Sequence, residues 1–188
     1  PEEIGKIAIE RGIPTIINYF NRDTVKKILS ENGKARVITA TNVFAHIENI
    51  NDIVECILEL LSEDGMFISE SHYLLSLIQT LQYDTIYHEH VFYYSLLALR
   101  NLFAHAGLAL YDAHMVDMQG GSVRIFVSHE GIFPESERLT SFFHQEYDRG
   151  YDKSETYSLI RAKAEKARKE LISLLQDLTS TGKRIAAY

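Results

Sequence analysis

Residues 36–69 read RVITATNVFAHIENINDIVECILELLSEDGMFIS, and the order of patterns in this stretch decides the fold. Arg36-Val37-Ile38-Thr39 is short and β-branched, which predicts a strand. Ile50, Ile53, Val54, Ile57, Leu58 and Leu61 then recur at helical spacing and trace a wide apolar face over roughly 50–62. Asp64-Gly65 supplies a turn, and Met66-Phe67-Ile68-Ser69 a further strand. Strand, helix, strand with short connections predicts parallel strands covered by helices.

The same alternation extends upstream. Ile4, Ile7 and Ala8 place a helix over residues 2–11, which Gly12 can end and Pro14 cannot continue. Thr15-Ile16-Ile17-Asn18-Tyr19-Phe20 reads as a strand, and Val25, Ile28 and Leu29 mark a helix over about 23–32 that closes at Asn32-Gly33. Downstream, Leu96, Leu99, Leu102 and Phe103 make a helix ending at Gly107. Two strands follow, Leu108–Tyr111 and Val123–Ser128, joined through Gly120-Gly121 with no crossover helix between them, so an antiparallel pair at the sheet edge is expected. From Ser154 to about Thr181, Tyr157, Ile160, Ala164, Ala167, Leu171, Leu174 and Leu178 recur every three or four positions. That is one long amphipathic helix, and its Ala-rich stripe suits a connector better than a coiled coil.

With 188 residues, 46% of them apolar, the chain can bury one sizeable core. A net charge of -7 and the lack of any Lys/Arg run argue against nucleic acid as a partner, because backbone binding needs clustered positive charge. The single cysteine, Cys56, allows neither a disulfide framework nor a zinc pair. No apolar run has bilayer length and no leader pattern opens the chain, so no membrane partner and a cytoplasmic setting are the expectation. Pro1-Glu2-Glu3 enters helical pattern without Met, and Arg184-Ile185-Ala186-Ala187-Tyr188 reads as the start of a strand. The expectation is an internal piece of a longer chain.

Segment 72–95 fits neither period and is crowded with Tyr and His. Within it Tyr87-His88-Glu89-His90 sets a phenol, two imidazoles and a carboxylate side by side, with Tyr93 and Tyr94 just beyond. Imidazole accepts a proton near neutral pH, and phenol or a second imidazole can donate a hydrogen bond to a developing enolate oxygen. Those are the parts for deprotonating a carbon beside a ketone. Three other readings stand beside this one: a His-x-His metal site completed by His46, Glu70 or His72, an aromatic piece of core, and a surface loop without a role. His46 tilts the balance, because it follows the strand 36–40 directly, and Glu70-Ser71-His72 follows the next strand in the same way. In open α/β sheets ligands bind beyond the carboxyl ends of the strands, so both groups point at one crevice. Gly120-Gly121-Ser122 is either a close approach to ligand or a plain hairpin linker.

Asn42-Val43-Phe44-Ala45-His46, the strand ending in Glu70, the run Tyr83–His90, Gly120-Gly121-Ser122-Val123-Arg124 and Gly182–Tyr188 together resemble, in order, the sugar C-methyltransferase family. The resemblance implies a Rossmann-like class I methyltransferase sheet, here its later part, with parallel strands ending in an antiparallel pair and a long C-terminal connecting helix. It divides the chain into a partial methyltransferase domain at 1–133, a helical connector at 134–182 and the start of a further domain at 183–188. The family's zinc cysteines, its Gly-rich cofactor loop and the acidic residue that holds the cofactor ribose have no counterpart in this sequence. The family uses S-adenosylmethionine to methylate a carbon of a nucleotide-linked 4-keto-deoxysugar. Carried over, the resemblance implies that His90 is the general base, that Tyr87 and His46 stabilise the enolate oxygen, and that Glu89 positions sugar or base. Phe20, Asn21 and Asn42 become the expected cofactor contacts. Glu70, His72, Gly120, Gly121 and Ser122 become the substrate contacts, and no metal is expected. An oxygen- or nitrogen-directed methyltransferase, a non-catalytic binding module and a metal enzyme using His88 and His90 are the alternatives.

Overall fold

Four strands make one sheet in the computed structural model, which describes residues 2–118 and 120–186. In chain order the elements are α1 (Glu2–Glu10), α2 (Arg22–Asn32), β1 (Ala35–Thr41), α3 (Ile50–Leu60), β2 (Leu61–His72), α4 (Leu74–Thr80), α5 (Leu96–Ala104), β3 (Leu108–Val116), β4 (Ser122–His129), α6 (Glu137–Asp148) and α7 (Ser154–Ser180). Single 3-10 turns occupy Phe44–His46 and Tyr83–Thr85. The strands lie in the order β1-β2-β4-β3. β1 runs parallel to β2, while β4 is antiparallel to both of its neighbours. The parallel start and the closing antiparallel pair are therefore both present.

β2 begins one residue after α3, earlier than the expected strand at 66–69. The register slips between Ala35↔Leu61 and Val37↔Met66, and the expected Asp64-Gly65 turn lies inside that slip. From Thr39↔Ile68 to Thr41↔Glu70 the pairing is regular, so β1 ends beside Glu70 and β2 runs two residues further at the same edge, to His72. That common edge is where the candidate site stands. Beneath it Phe44, Phe67 and Phe103 pack with ring centroids 5.4, 6.1 and 5.9 Å apart, all three buried. Offset aromatic contacts of this kind contribute beyond their buried area. They fix the turn that follows β1 to the body of the fold.

Three further sequence expectations are corrected. Residues 15–20 form no strand. Strand structure is a property of a ladder, and this segment pairs with none of the described strands. Segment 72–95 is not wholly irregular, since it contains α4, with Leu75, Leu77 and Ile78 buried. Leu81 ends that helix in the left-handed region at φ 56°. Near the carboxyl end, residues 183–186 carry no strand, and the rest of the expected strand, residues 187–188, lies outside the described residues.

α6 packs against α5 and β3, burying Leu139, Phe143 and Glu146. The Glu146 carboxylate accepts from the backbone N–H of Leu96 at 2.7 Å and of Leu97 at 2.9 Å, and from the Tyr73 hydroxyl at 2.8 Å. A carboxylate thus serves the first turn of α5, where exposed N–H groups and the helix dipole favour negative charge. Ser95 caps the same end by accepting from Ala98 N–H at 3.1 Å. α7 has no buried residue.

Candidate active site

β1 hands the chain to the site through Asn42, whose φ of 54° turns the backbone sharply while its N–H still donates to the Glu70 carbonyl at 2.8 Å. Asparagine tolerates this left-handed conformation better than most residues. The buried Phe44 then anchors the 3-10 turn that carries His46. Segment 83–95 is stitched to that turn by main-chain contacts: Val91 and Phe92 N–H both donate to the Ala45 carbonyl, at 2.8 and 3.2 Å. The Tyr94 hydroxyl reaches the Phe44 carbonyl at 3.2 Å. Two segments far apart in sequence therefore hold a fixed relation at the strand ends.

His46, Tyr87 and His90 meet there. The ring centroids of His46 and His90 are 4.9 Å apart, and those of Tyr87 and His90 4.4 Å. His90 Nδ1 lies 3.1 Å from the Thr85 carbonyl, and His46 Nδ1 lies 2.8 Å from the Glu89 carbonyl. A carbonyl only accepts, so both Nδ1 atoms carry hydrogen and each neutral ring presents Nε2 as its basic atom. The Tyr87 hydroxyl donates to His90 Nε2 across 3.1 Å. Tyr93 stands edge-on to His90 and shares the Thr85 carbonyl, at 3.2 Å.

His46, Tyr87 and His90 border a cavity of about 310 Å³ together with Asn42, Ser71 and His72. A second cavity of about 680 Å³ adjoins it, lined by Tyr19, Phe20, Ile38, Ile53, Ile57 and the end of β1. Asn42 and His46 belong to the walls of both. The larger space is mainly apolar with a few polar groups at its rim, and its size falls within the usual span of about 300–1,000 Å³ for a small-molecule site.

The other expected site residues are placed as follows. Glu89 enters only through its carbonyl, and its side chain is exposed. Glu70 is buried and paired with Arg124, whose Nε and Nη2 donate to its Oε2 at 3.0 and 2.6 Å, directly across the β2–β4 ladder. It does not border either of these cavities. Phe20 lines the larger cavity, but Asn21 caps α2, accepting from Thr24 N–H at 2.9 Å, and borders neither space. Ser122 is buried and donates to the Met118 carbonyl at 3.2 Å. Gly120 and Gly121 have φ of 76° and 119°, conformations that favour glycine. They touch the site indirectly, through Gln82, which donates to the Gly120 carbonyl and accepts from His72. Thr85, Gln82, Ser71 and Tyr93 were absent from the expected set. Among the described residues no group of three or more His, Cys, Asp or Glu side chains is placed to hold a metal ion. No described helix is long and apolar enough to cross a membrane.

Burial pushes the His72 imidazole below its ordinary value of 6.5. The Gln82 hydrogen bond and the charge of Asp84 act the other way, and His90 adds to the lowering. Folding therefore disfavours the charged form, and stability present above pH 6.5 is lost as pH falls through and below that value. A thermal-unfolding series from pH 7.5 to about 5 is expected to fall less steeply for His72→Asn than for the parent. Parallel curves would show that His72 titrates no differently in the folded chain.

The chain belongs to the methyltransferase-domain family, whose model matches residues 3–113. A second family model, described as a C-methyltransferase C-terminal domain, matches residues 117–188. C-methyltransferase NovU from Streptomyces niveus is 32% identical over 183 residues, which is 97% of this chain and 44% of NovU. The chain thus spans less than half the length of that relative. Among solved structures, mitomycin 7-O-methyltransferase MmcR resembles it with a TM-score of 0.52 at 13% identity, over 68% of this chain and 38% of that one, a likeness of fold. A SAM-dependent methyltransferase from Anabaena variabilis gives a TM-score of 0.46 at 12% identity, over 62% of this chain and 58% of that one.

Proposed function

We propose that the protein methylates a carbon of a nucleotide-linked 4-keto-deoxysugar, with S-adenosylmethionine as donor and His90 as the base that first removes the proton beside the ketone. The observation that carries this reading is the setting of His90, with Nδ1–H held by the Thr85 carbonyl and Nε2 left as the basic atom on a cavity wall. The family and the name of the relative, a C-methyltransferase, support carbon as the acceptor.

S-adenosylmethionine supplies, when bound, a methyl group activated by its positively charged sulfur. The larger cavity fits such a group: Tyr19 and Phe20 offer aromatic faces for a purine, Ile38 and Ile53 an apolar wall, and Asn42 a polar contact at the turn. The chain's own residues do the rest. His90 Nε2 takes the proton from the substrate carbon and becomes a donor. For this the Tyr87 hydroxyl hydrogen first turns from Nε2 toward the ketone oxygen, which frees the lone pair, and the Nε2–H then formed donates to the Tyr87 oxygen. His46 can donate to that oxygen only as an imidazolium, because its Nδ1–H already serves the Glu89 carbonyl. Ser71, His72 and Asn42 complete the wall that orients the sugar.

The test separates proton removal from methyl transfer. In D₂O without donor, the full-length protein is expected to wash deuterium into the carbon beside the ketone of a pyrimidine-nucleotide 4-keto-deoxysugar, read by NMR. With donor, the new methyl appears on that same carbon. No wash-in, or a methyl on oxygen or nitrogen, overturns the reading.

A further inference from the structure

His72 ends β2 on the wall of the smaller cavity, and its hydrogen bonds determine which of its nitrogens carries hydrogen. Gln82 Nε2 lies 2.9 Å from the Gly120 carbonyl. That oxygen only accepts, so the NH₂ end of the amide faces it and the amide oxygen is turned toward His72. Gln82 Oε1 lies 2.9 Å from His72 Nε2. An amide oxygen also only accepts, so Nε2 of His72 carries hydrogen and Nδ1 carries the lone pair. Nδ1 has no hydrogen-bond partner among the described residues.

The anchor of this chain cannot easily reorganise. Gly120 sits at φ 76°, and a side chain there would run into Gln82. Gly121 N–H donates to the Met118 carbonyl at 2.9 Å, and its own carbonyl accepts from Tyr73 N–H at 3.1 Å, beside the end of β2. The turn after β3 is thereby tied to the strand that carries His72.

We propose that Gln82 is a positioning residue that holds His72 as the neutral Nε2–H form, so that His72 Nδ1 accepts a hydrogen bond from a substrate hydroxyl. This rests on the sugar reading above. A lone pair at this wall welcomes an O–H and repels a phosphate oxygen, so it selects the sugar side of the substrate and turns the diphosphate away. Burial of His72 works in the same direction, because it resists the second proton that would convert the acceptor into a donor. A proton gained by His90 resists it further, which keeps the abstracted proton from passing to His72.

The experiment uses ¹⁵N-histidine NMR on the full chain, with a binding titration of a pyrimidine-nucleotide 4-keto-deoxysugar. The parent is expected to show His72 as Nε2–H alone. Gln82→Leu removes the amide's bonds to His72, Gly120 and Thr80, so the His72 ring can turn as well as mix its two neutral forms, and sugar-nucleotide binding is expected to weaken roughly tenfold, the worth of one hydrogen bond. S-adenosylmethionine binding and kcat are expected to stay within about threefold, since the group acts on substrate binding rather than on the proton transfer. Gln82→Glu keeps the acceptor but loses the donor to Gly120, and is expected to draw a second proton onto His72. It serves as the readout should Gln82→Leu not fold. Finding Nδ1–H or the imidazolium in the parent overturns the proposal, as does a Gln82→Leu protein with the parent's tautomer and affinity. Failure of the carbon-methylation reading would show instead as missing deuterium wash-in, with the His72 tautomer as expected.

Discussion

His90→Asn is expected to abolish both deuterium wash-in beside the ketone and methylation, with kcat falling about 10²–10⁴-fold, the usual contribution of a placed general base. Asparagine is close in size and can still donate to the Thr85 carbonyl that now holds Nδ1. What it lacks is a basic atom in the position of Nε2. A loss confined to kcat, with sugar-nucleotide affinity near that of the parent, would mark His90 as acting in the transition state rather than in binding. Tyr87→Phe removes only the phenol that faces Nε2 and should cost less. Turnover by His90→Asn within threefold of the parent would end the assignment.

Glu146→Ala is expected to destabilise the fold by about 3–5 kcal/mol, because one truncation strands two buried backbone N–H groups and one buried hydroxyl. The carboxylate is fully buried and serves Leu96, Leu97 and Tyr73 at once. Burial, and then the adjoining Glu146 charge, push the Tyr73 phenol well above its ordinary value, so it remains a donor throughout the accessible pH range. Urea unfolding reads the loss directly, and a drop in Tm of roughly 10 °C should accompany it. Glu146→Gln retains one acceptor oxygen and should lose less. An alanine variant within about 1 kcal/mol of the parent would mean that water replaces all three bonds.

Much of the sheet was legible because its signals are local. Val37 and Ile38, the apolar face from Ile50 to Leu61, and Met66–Ile68 announce β1, α3 and β2 through side-chain period alone. Thr15–Phe20 carries an equally good β pattern, yet a strand needs a neighbour, and composition is blind to that. α4 escaped notice because its seven residues include four of Leu or Ile, too short and too uniform to show a period. At the site, His46, Tyr87 and His90 could be found because titratable side chains cluster at strand ends. Thr85 could not, since it contributes a carbonyl, which every residue possesses, and Glu89, expected for its carboxylate, likewise enters by its carbonyl. Asn21 has a local role that its sequence position also signals, since an asparagine just before a helix is a favoured cap. Glu146 lies 50 positions from the helix it caps, and only the packing of α6 brings them together.

Asn42 and His46 wall both cavities. An occupant that shifts either side chain on one side alters affinity on the other, and thermodynamic reciprocity makes the two effects equal in free energy. Two guests separated by a single layer of residues are not independent lodgers. Tightening the grip on one of them by altering that layer retunes the grip on the other.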